Sequence, residues 1–264
     1  MNTLTRPDVA ADRPSMFAQL TILSVVLLAL AILWGQFDTR SLNGVPVWHK
    51  PAKFALSFIV HFATLAIIVA ALSEHNRTCR TIVVAGGVMA AAFAAEMFYI
   101  YFQAAQAENS HFNYSTSFHE TMYNLMGVGA ILLICTPIAV AWVARCDMTI
   151  GAASRAGIWW GALTSFFLTT ITAVYLSSQG GHLVGIPDDP SRVLPVVGWS
   201  TEVGDLRPAH FLSLHALQVL PLVGLWIDRQ GHSLSIIKPF AAVYALMSLA
   251  VLGQALLGLP LIPL

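Results

Sequence analysis

The chain concentrates its reactive side chains in the stretch Gly198-Trp-Ser-Thr-Glu-Val-Gly-Asp-Leu-Arg-Pro-Ala-His-Phe-Leu-Ser-Leu-His-Ala-Leu-Gln218, where a polar, glycine-punctuated loop runs into an apolar helix. Asp205 stands ahead of a helix start at Pro208, where a carboxylate caps free N–H groups and proline fits the first turn. Three ionisable groups fall inside apolar runs: His61, Glu96 and His215. Each costs roughly 2.5–3.5 kcal/mol to insert in a bilayer, so each calls for a partner or a function. Counted at 1.5 Å per residue from one end of their helices, they lie about 12, 13 and 11 Å deep. Equal depth on separate helices suits ligation of haem iron or a transition metal by His61 and His215, with Glu96 as third metal ligand. It also suits a zinc site in which Glu96 acts as general base on bound water, or a polar path for a proton or small solute. A structural cluster of hydrogen-bonded packing residues is the fourth reading.

Spacing gives these groups faces. Glu96, Tyr99, Gln103 and Gln106 recur at i, i+3, i+7 and i+10, a polar stripe rising from mid-helix to the mouth. Lys53, Ser57 and His61 share a face, as do Glu120, Asn124 and Gly127, and His215 with Gln218. His210 lies about 140° round from His215, so those two are not expected to share an ion. The expected pocket therefore contains His61, Glu96 and His215, opens to one side, and has His111, His119, His182, Asp205, Arg207 and His210 at its rim. The last span lacks a mid-helix lysine, which leaves retinal chemistry without an amine.

The elements that must hold these residues follow from composition. In 264 residues, 57% are hydrophobic and 10% charged, far below the roughly 25% charge of a soluble domain. Thirteen basic and thirteen acidic residues cancel, which gives no footprint for nucleic acid and no polybasic tail. Cys79, Cys135 and Cys146 have neither disulfide nor zinc-knuckle spacing. The sequence predicts an all-α polytopic bundle of seven spans, at about 16–35, 53–73, 81–105, 118–144, 156–178, 208–227 and 239–259, behind a cytoplasmic tail over 1–15. The first run ends without a small-residue cleavage site and is read as an uncleaved span.

An odd number of spans puts the termini on opposite sides. Arg6, Arg13, Arg77, Arg80, Arg145, Arg155, Arg229 and Lys238 fall on the N-terminal side, against Arg40, Lys50, Lys53, Arg192 and Arg207 opposite. That bias predicts a plasma (inner) membrane protein with its N-terminus in the cytoplasm and its C-terminus outside. The long loop 179–207, rich in proline and glycine, reads as a folded cap over the outer mouth. Trp34, Trp48, Trp142 and Trp226 at span ends read as interface-belt residues. Pro137 and Pro221 read as kinks.

The runs Lys50-Pro-Ala-Lys-Phe-Ala-Leu-Ser57 and Ser110-His-Phe-Asn113, together with Gly198–Gln218, resemble a family of bacterial multispanning membrane proteins without a known activity. Ser57-x-x-x-His61, an acidic residue on the third span and a late histidine pair resemble the seven-span zinc-dependent hydrolases that include alkaline ceramidases and adiponectin receptors. That resemblance implies zinc held by histidines. The family's late pair is His-x-x-x-His on the seventh span, whereas this chain has His210-x-x-x-x-His215 on the sixth.

Overall fold

The computed structural model describes residues 14–264. Arg6, Asp8, Asp12 and Arg13, the charged residues of the predicted tail, lie outside the described residues. The helices are α1 (Met16–Trp34), α2 (His49–Ala71), a single turn α3 (Glu74–Arg77), α4 (Arg80–Ala105), α5 (Ser117–Ala144), α6 (Ala152–Ser178), α7 (Arg207–Gln230) and α8 (Ile237–Leu256). Among the described residues seven helices are long and apolar enough to cross a membrane, with α3 and α4 counted as one. The chain is thus an all-α multi-pass membrane bundle. The end carrying Pro14 is called the N side and the end carrying Leu264 the C side.

Helix starts follow their capping chemistry. Ser15 accepts from the Ala18 N–H at 3.2 Å ahead of α1, and Thr116 from the His119 N–H at 3.2 Å ahead of α5. Gly231, in the left-handed region at φ 68°, ends α7. The expected Asp205 cap takes a different form. Helix α7 begins at Arg207, and Asp205 accepts from the Arg207 N–H at 3.0 Å one residue before the capping position. Asn43 and Gly44, at φ 52° and 77°, make the tight turn between β1 (Ser41–Leu42) and β2 (Val45–Pro46).

Two groups of helices make the bundle. In the first, α1, α2, α4 and α5 enclose Phe62, Leu65, Met89, Phe93 and Ile100. In the second, α6, α7 and α8 enclose Ala216, Leu220 and Tyr244. The most extensive pairing of the molecule is α6 with α7. A side chain at Gly157 would strike the Leu220 carbonyl, one at Gly161 would come within 2.9 Å of the Ala216 carbonyl, and one at Gly224 would strike the Ala153 carbonyl. Gly157-x-x-x-Gly161 therefore lets two backbones touch, which is how helices associate where lipid offers no hydrophobic drive. The groups meet broadly along α5 and α6 but only sparingly along α2 and α7.

Two hydrogen-bonded carboxylates, buried Asp147 and half-buried Asp228, lock the N side. Asp147 accepts from the Ser73 N–H and hydroxyl and the Asn76 amide, each at 2.8 Å, and from the Thr149 N–H and hydroxyl at 3.0 and 2.6 Å. The turn after α2 and the turn after α5 are thereby fastened together. Asp228 serves α6, whose capping residue Gly151 has no side chain. It accepts from the Ala153 N–H at 3.0 Å and from the Ser154 N–H and hydroxyl at 2.8 and 2.6 Å.

Candidate functional site

His61 and His215 stand on the two helices of the sparse α2–α7 seam, within electrostatic reach of each other. Both helices run from the C side to the N side, and their polar residues face each other in constant register. Arg207 is within electrostatic reach of Lys53, His215 is within reach of His61, and Gln218 donates to the Thr64 hydroxyl at 3.2 Å. Each pair is 154 positions apart. Helix α2 divides its faces to allow this. Phe58 and Phe62 turn to Phe93 of α4, with ring centroids 4.9 and 5.0 Å away, while His61 and Thr64 turn to α7.

The seam has a floor and a roof. Gln218 and Thr64 form the floor toward the N side. Above, Phe211 lies against the His215 ring at 4.0 Å between centroids, and Trp199 of the cap lies against Phe211 at 5.7 Å. Lys53 donates to the Val197 carbonyl at 3.2 Å and Arg207 to the Gly198 carbonyl at 2.5 Å, so both cations hold one turn of the cap over the seam. The remainder of the loop is folded as expected. In it β3 (Leu183–Val184) pairs with β4 (Gly204–Asp205), and Arg192 bonds the terminal Leu264 carbonyl. Inside, the His61 Nε2 is buried with no hydrogen-bond partner among the described residues.

Glu96 belongs to a different place. It is 5% exposed, and its Oε1 lies against α5 where a side chain on Gly129 would come within 2.6 Å. Its ionisable neighbour is Lys50, which also reaches His111. His111 packs against Phe54 at 5.4 Å and Tyr123 at 6.1 Å, and its Nδ1 bonds the Ser110 hydroxyl at 3.2 Å. Burial, with the Lys50 charge adding, pushes its imidazole down to about 3. Among the described residues no three His, Cys, Asp or Glu side chains gather into a group able to hold a metal ion. The expected three-ligand centre of His61, Glu96 and His215 is therefore not formed, because equal depth does not make equal facing. Glu96 sits toward α2 and α5, and His61 looks away toward α7.

The polar stripe closes on itself. The Tyr99 hydroxyl and Gln103 amide both meet His119 Nδ1, at 3.1 and 3.2 Å, while His119 Nε2 lies 3.3 Å from Glu108 and Gln106 donates to Gln103 at 3.2 Å. His119, expected at the rim, is instead the hub that fastens α4 to the start of α5. Asn124 is exposed and lies off the site, as are Glu120 and Gly127. His210 bonds Thr172 of α6 at 3.1 Å and belongs to the α6–α7 packing rather than the rim. Asp205 and Arg207 form a 2.6 Å ion pair at the seam's mouth. His182 stands near them, its imidazole lowered by burial and by Arg207, with Asp205 opposing.

Sequence reasoning missed Thr64, Lys50, Phe211 and the Val197–Gly198 turn. A signal for the first was present. Lys53-x-Ala-x5-His61-x2-Thr64 and Arg207-x-Ala-x5-His215-x2-Gln218 share one pattern, and Ala55 and Ala209 are both fully buried. Comparison with known proteins found no matching family model, no matching curated protein and no matching solved structure. The two resemblances noted above rest on the residue runs quoted for them.

Proposed function

We propose that this membrane protein is a permease or sensor whose α2–α7 seam receives a proton or small polar solute from the C side, with His61 and His215 as the exchanging groups. The observation that carries the reading is the buried His61 Nε2, which has no hydrogen-bond partner among the described residues and stands one turn from the Gln218–Thr64 bond that joins α2 to α7. A buried polar atom without a partner costs about 1–3 kcal/mol, which a structural histidine has no reason to incur. Lys53 and Arg207 at the mouth and the Gln218–Thr64 bond below make a polar line through an apolar bundle. The Trp199–Phe211 roof would have to swing aside for entry, which the sparse α2–α7 contact favours.

The test is proton uptake by proteoliposomes carrying a trapped pH dye, across an imposed gradient. His61→Gln and His215→Gln should each abolish it, and His75→Gln, an exposed change on the N side, should not. Equal flux in all three variants overturns the reading. A second reading is favoured by the same facing pair: His61 and His215 as ligands to haem or to one transition metal. A Soret band or stoichiometric metal in purified protein, lost in either variant, would select it. The zinc hydrolase has less support, since a third ligand and an adjacent carboxylate do not join the pair.

A further inference from the structure

Along the α4–α5 contact, toward its N-side half, an open groove of about 510 Å³ lies between the two helices. Its walls are Val84 and Val88 of α4 and Leu132 and Ala139 of α5, and its N-side end is formed by Arg80 and Thr81. From Arg80 to Val88 the groove runs about 12 Å along the helix, close to the ~15 Å depth of one hydrocarbon leaflet. The volume is that of a small-molecule site, which ordinarily spans about 300–1,000 Å³.

Charge identifies the occupant. Arg80 is exposed and joins no ion pair among the described residues. Among the described residues of the N side, Arg77, Arg80, Arg145, Arg155, Arg229 and Lys238 stand against the acids Glu74, Asp147 and Asp228. The carboxylates of Asp147 and Asp228 are already taken up by backbone and side-chain donors. An anionic headgroup thus meets an unmatched guanidinium with the Thr81 hydroxyl beside it. A zwitterionic headgroup would bring an ammonium for which the groove lining holds no carboxylate. We infer that the α4–α5 groove holds one acyl chain of an anionic phospholipid from the N-side leaflet, with its phosphate on Arg80.

The full chain, purified and exchanged into an equal mixture of phosphatidylglycerol and phosphatidylcholine, is examined by native mass spectrometry. One phosphatidylglycerol should be retained in preference. Arg80→Gln should lower that preference about fivefold, the effect of one cation near a surface. Arg155→Gln, on the same side but off the groove, should not. Ala139→Trp should fill the groove and remove the retained lipid whatever its headgroup. Val84→Phe, at an exposed wall position that tolerates bulk, should weaken retention even if the tryptophan variant misfolds. Equal retention of both lipids, or retention unchanged by Arg80→Gln or Val84→Phe, overturns the inference. So does finding a second copy of the chain, or residues 1–13 cross-linked to Cys135 of the groove lining, in the lipid's place.

Discussion

Gln218 donates a 3.2 Å hydrogen bond to Thr64, and that bond fixes the register in which His215 meets His61 three residues earlier on both helices. The bond lies at a sparse helix contact between the two groups, so it has few neighbours to share its work. Gln218→Met keeps the bulk of the side chain and removes the donor. Interhelical hydrogen bonds in membranes contribute about 0.6 kcal/mol, with a maximum near 1.7, so unfolding in detergent should shift by no more than that. Solute-linked activity should fall much further, because the histidines lose their alignment. A large stability loss with activity intact would show that Gln218 packs rather than positions.

Asp147 should govern the N side in a pH-dependent way. Burial alone would raise its carboxyl, but the bonds from Thr149, Asn76 and Ser73 outweigh burial and hold it well below the usual carboxylate range. A folded-state value below the unfolded one gives stability that is present above pH ~4 and is lost as pH falls from there toward the folded value. Asp147→Ala should cost about 2–3 kcal/mol at neutral pH, since charge-assisted bonds are lost from donors on two turns. The variant should also lose the acid-limb slope between pH 4 and 2. An unchanged slope would assign the acid sensitivity to other carboxylates.

His111 should act in a different window. Its imidazole, pushed down to about 3 by burial and by Lys50, stays neutral in the folded chain while the unfolded chain takes up a proton near pH 6.5. The unfolded state then binds more protons, so stability falls as pH drops from about 6.5 toward 3. His111→Phe retains the packing against Phe54 and Tyr123 and cannot be protonated, so it should flatten the slope in that range. The Ser110 bond is lost in exchange, and a modest drop at pH 8 is expected. A slope unaffected by the change would rule out His111 as its source.

Hydropathy made the bundle legible because a bilayer imposes one demand on every span, and the seven expected spans differ from the helices mainly at their ends. Helix α2 begins at His49 and not at 53, since the Asn43–Gly44 hairpin returns the chain directly into it. What depth could not supply was facing. His61 and Glu96 lie on helices that touch through Phe58, Phe62 and Phe93, and a ring-lined contact sends the polar groups on either side in different directions. Of the expected stripe of Glu96, Tyr99, Gln103 and Gln106, the last three are linked through Gln103 and His119, and Glu96 lies apart against α5. The destination of those three depended on His119, which approaches from the next helix. Asp147, in the turn after α5, and Asp228, in the last turn of α7, matter through donors 71 to 75 positions away, which sequence proximity does not reveal. Gly157-x-x-x-Gly161 marks a close-packing face in the sequence, but that α7 is its partner comes from the structure.

Orientation in the membrane is the last prediction. The described residues on the N side carry six basic and three acidic groups (Arg77, Arg80, Arg145, Arg155, Arg229 and Lys238 against Glu74, Asp147 and Asp228). The C side carries five basic groups, Arg40, Lys50, Lys53, Arg192 and Arg207, of which Arg40, Arg192 and Arg207 are paired with Asp38, Glu202 and Asp205. Lys and Arg excess marks the side that stays in the cytoplasm, so the count, eight against five once Arg6 and Arg13 are included, predicts that the seam's mouth and the 179–207 cap lie outside. An alkaline phosphatase fused after Leu264 should be active, and one fused at Gly151 inactive. A cysteine introduced at the exposed position Val196 of the cap should react with a membrane-impermeant maleimide in intact cells, whereas the exposed Cys146 should require permeabilisation. The reverse pattern would turn the bundle over and make the His61–His215 seam open to the cytoplasm. The gradient applied in the proteoliposome test would then have to be reversed for uptake to be seen.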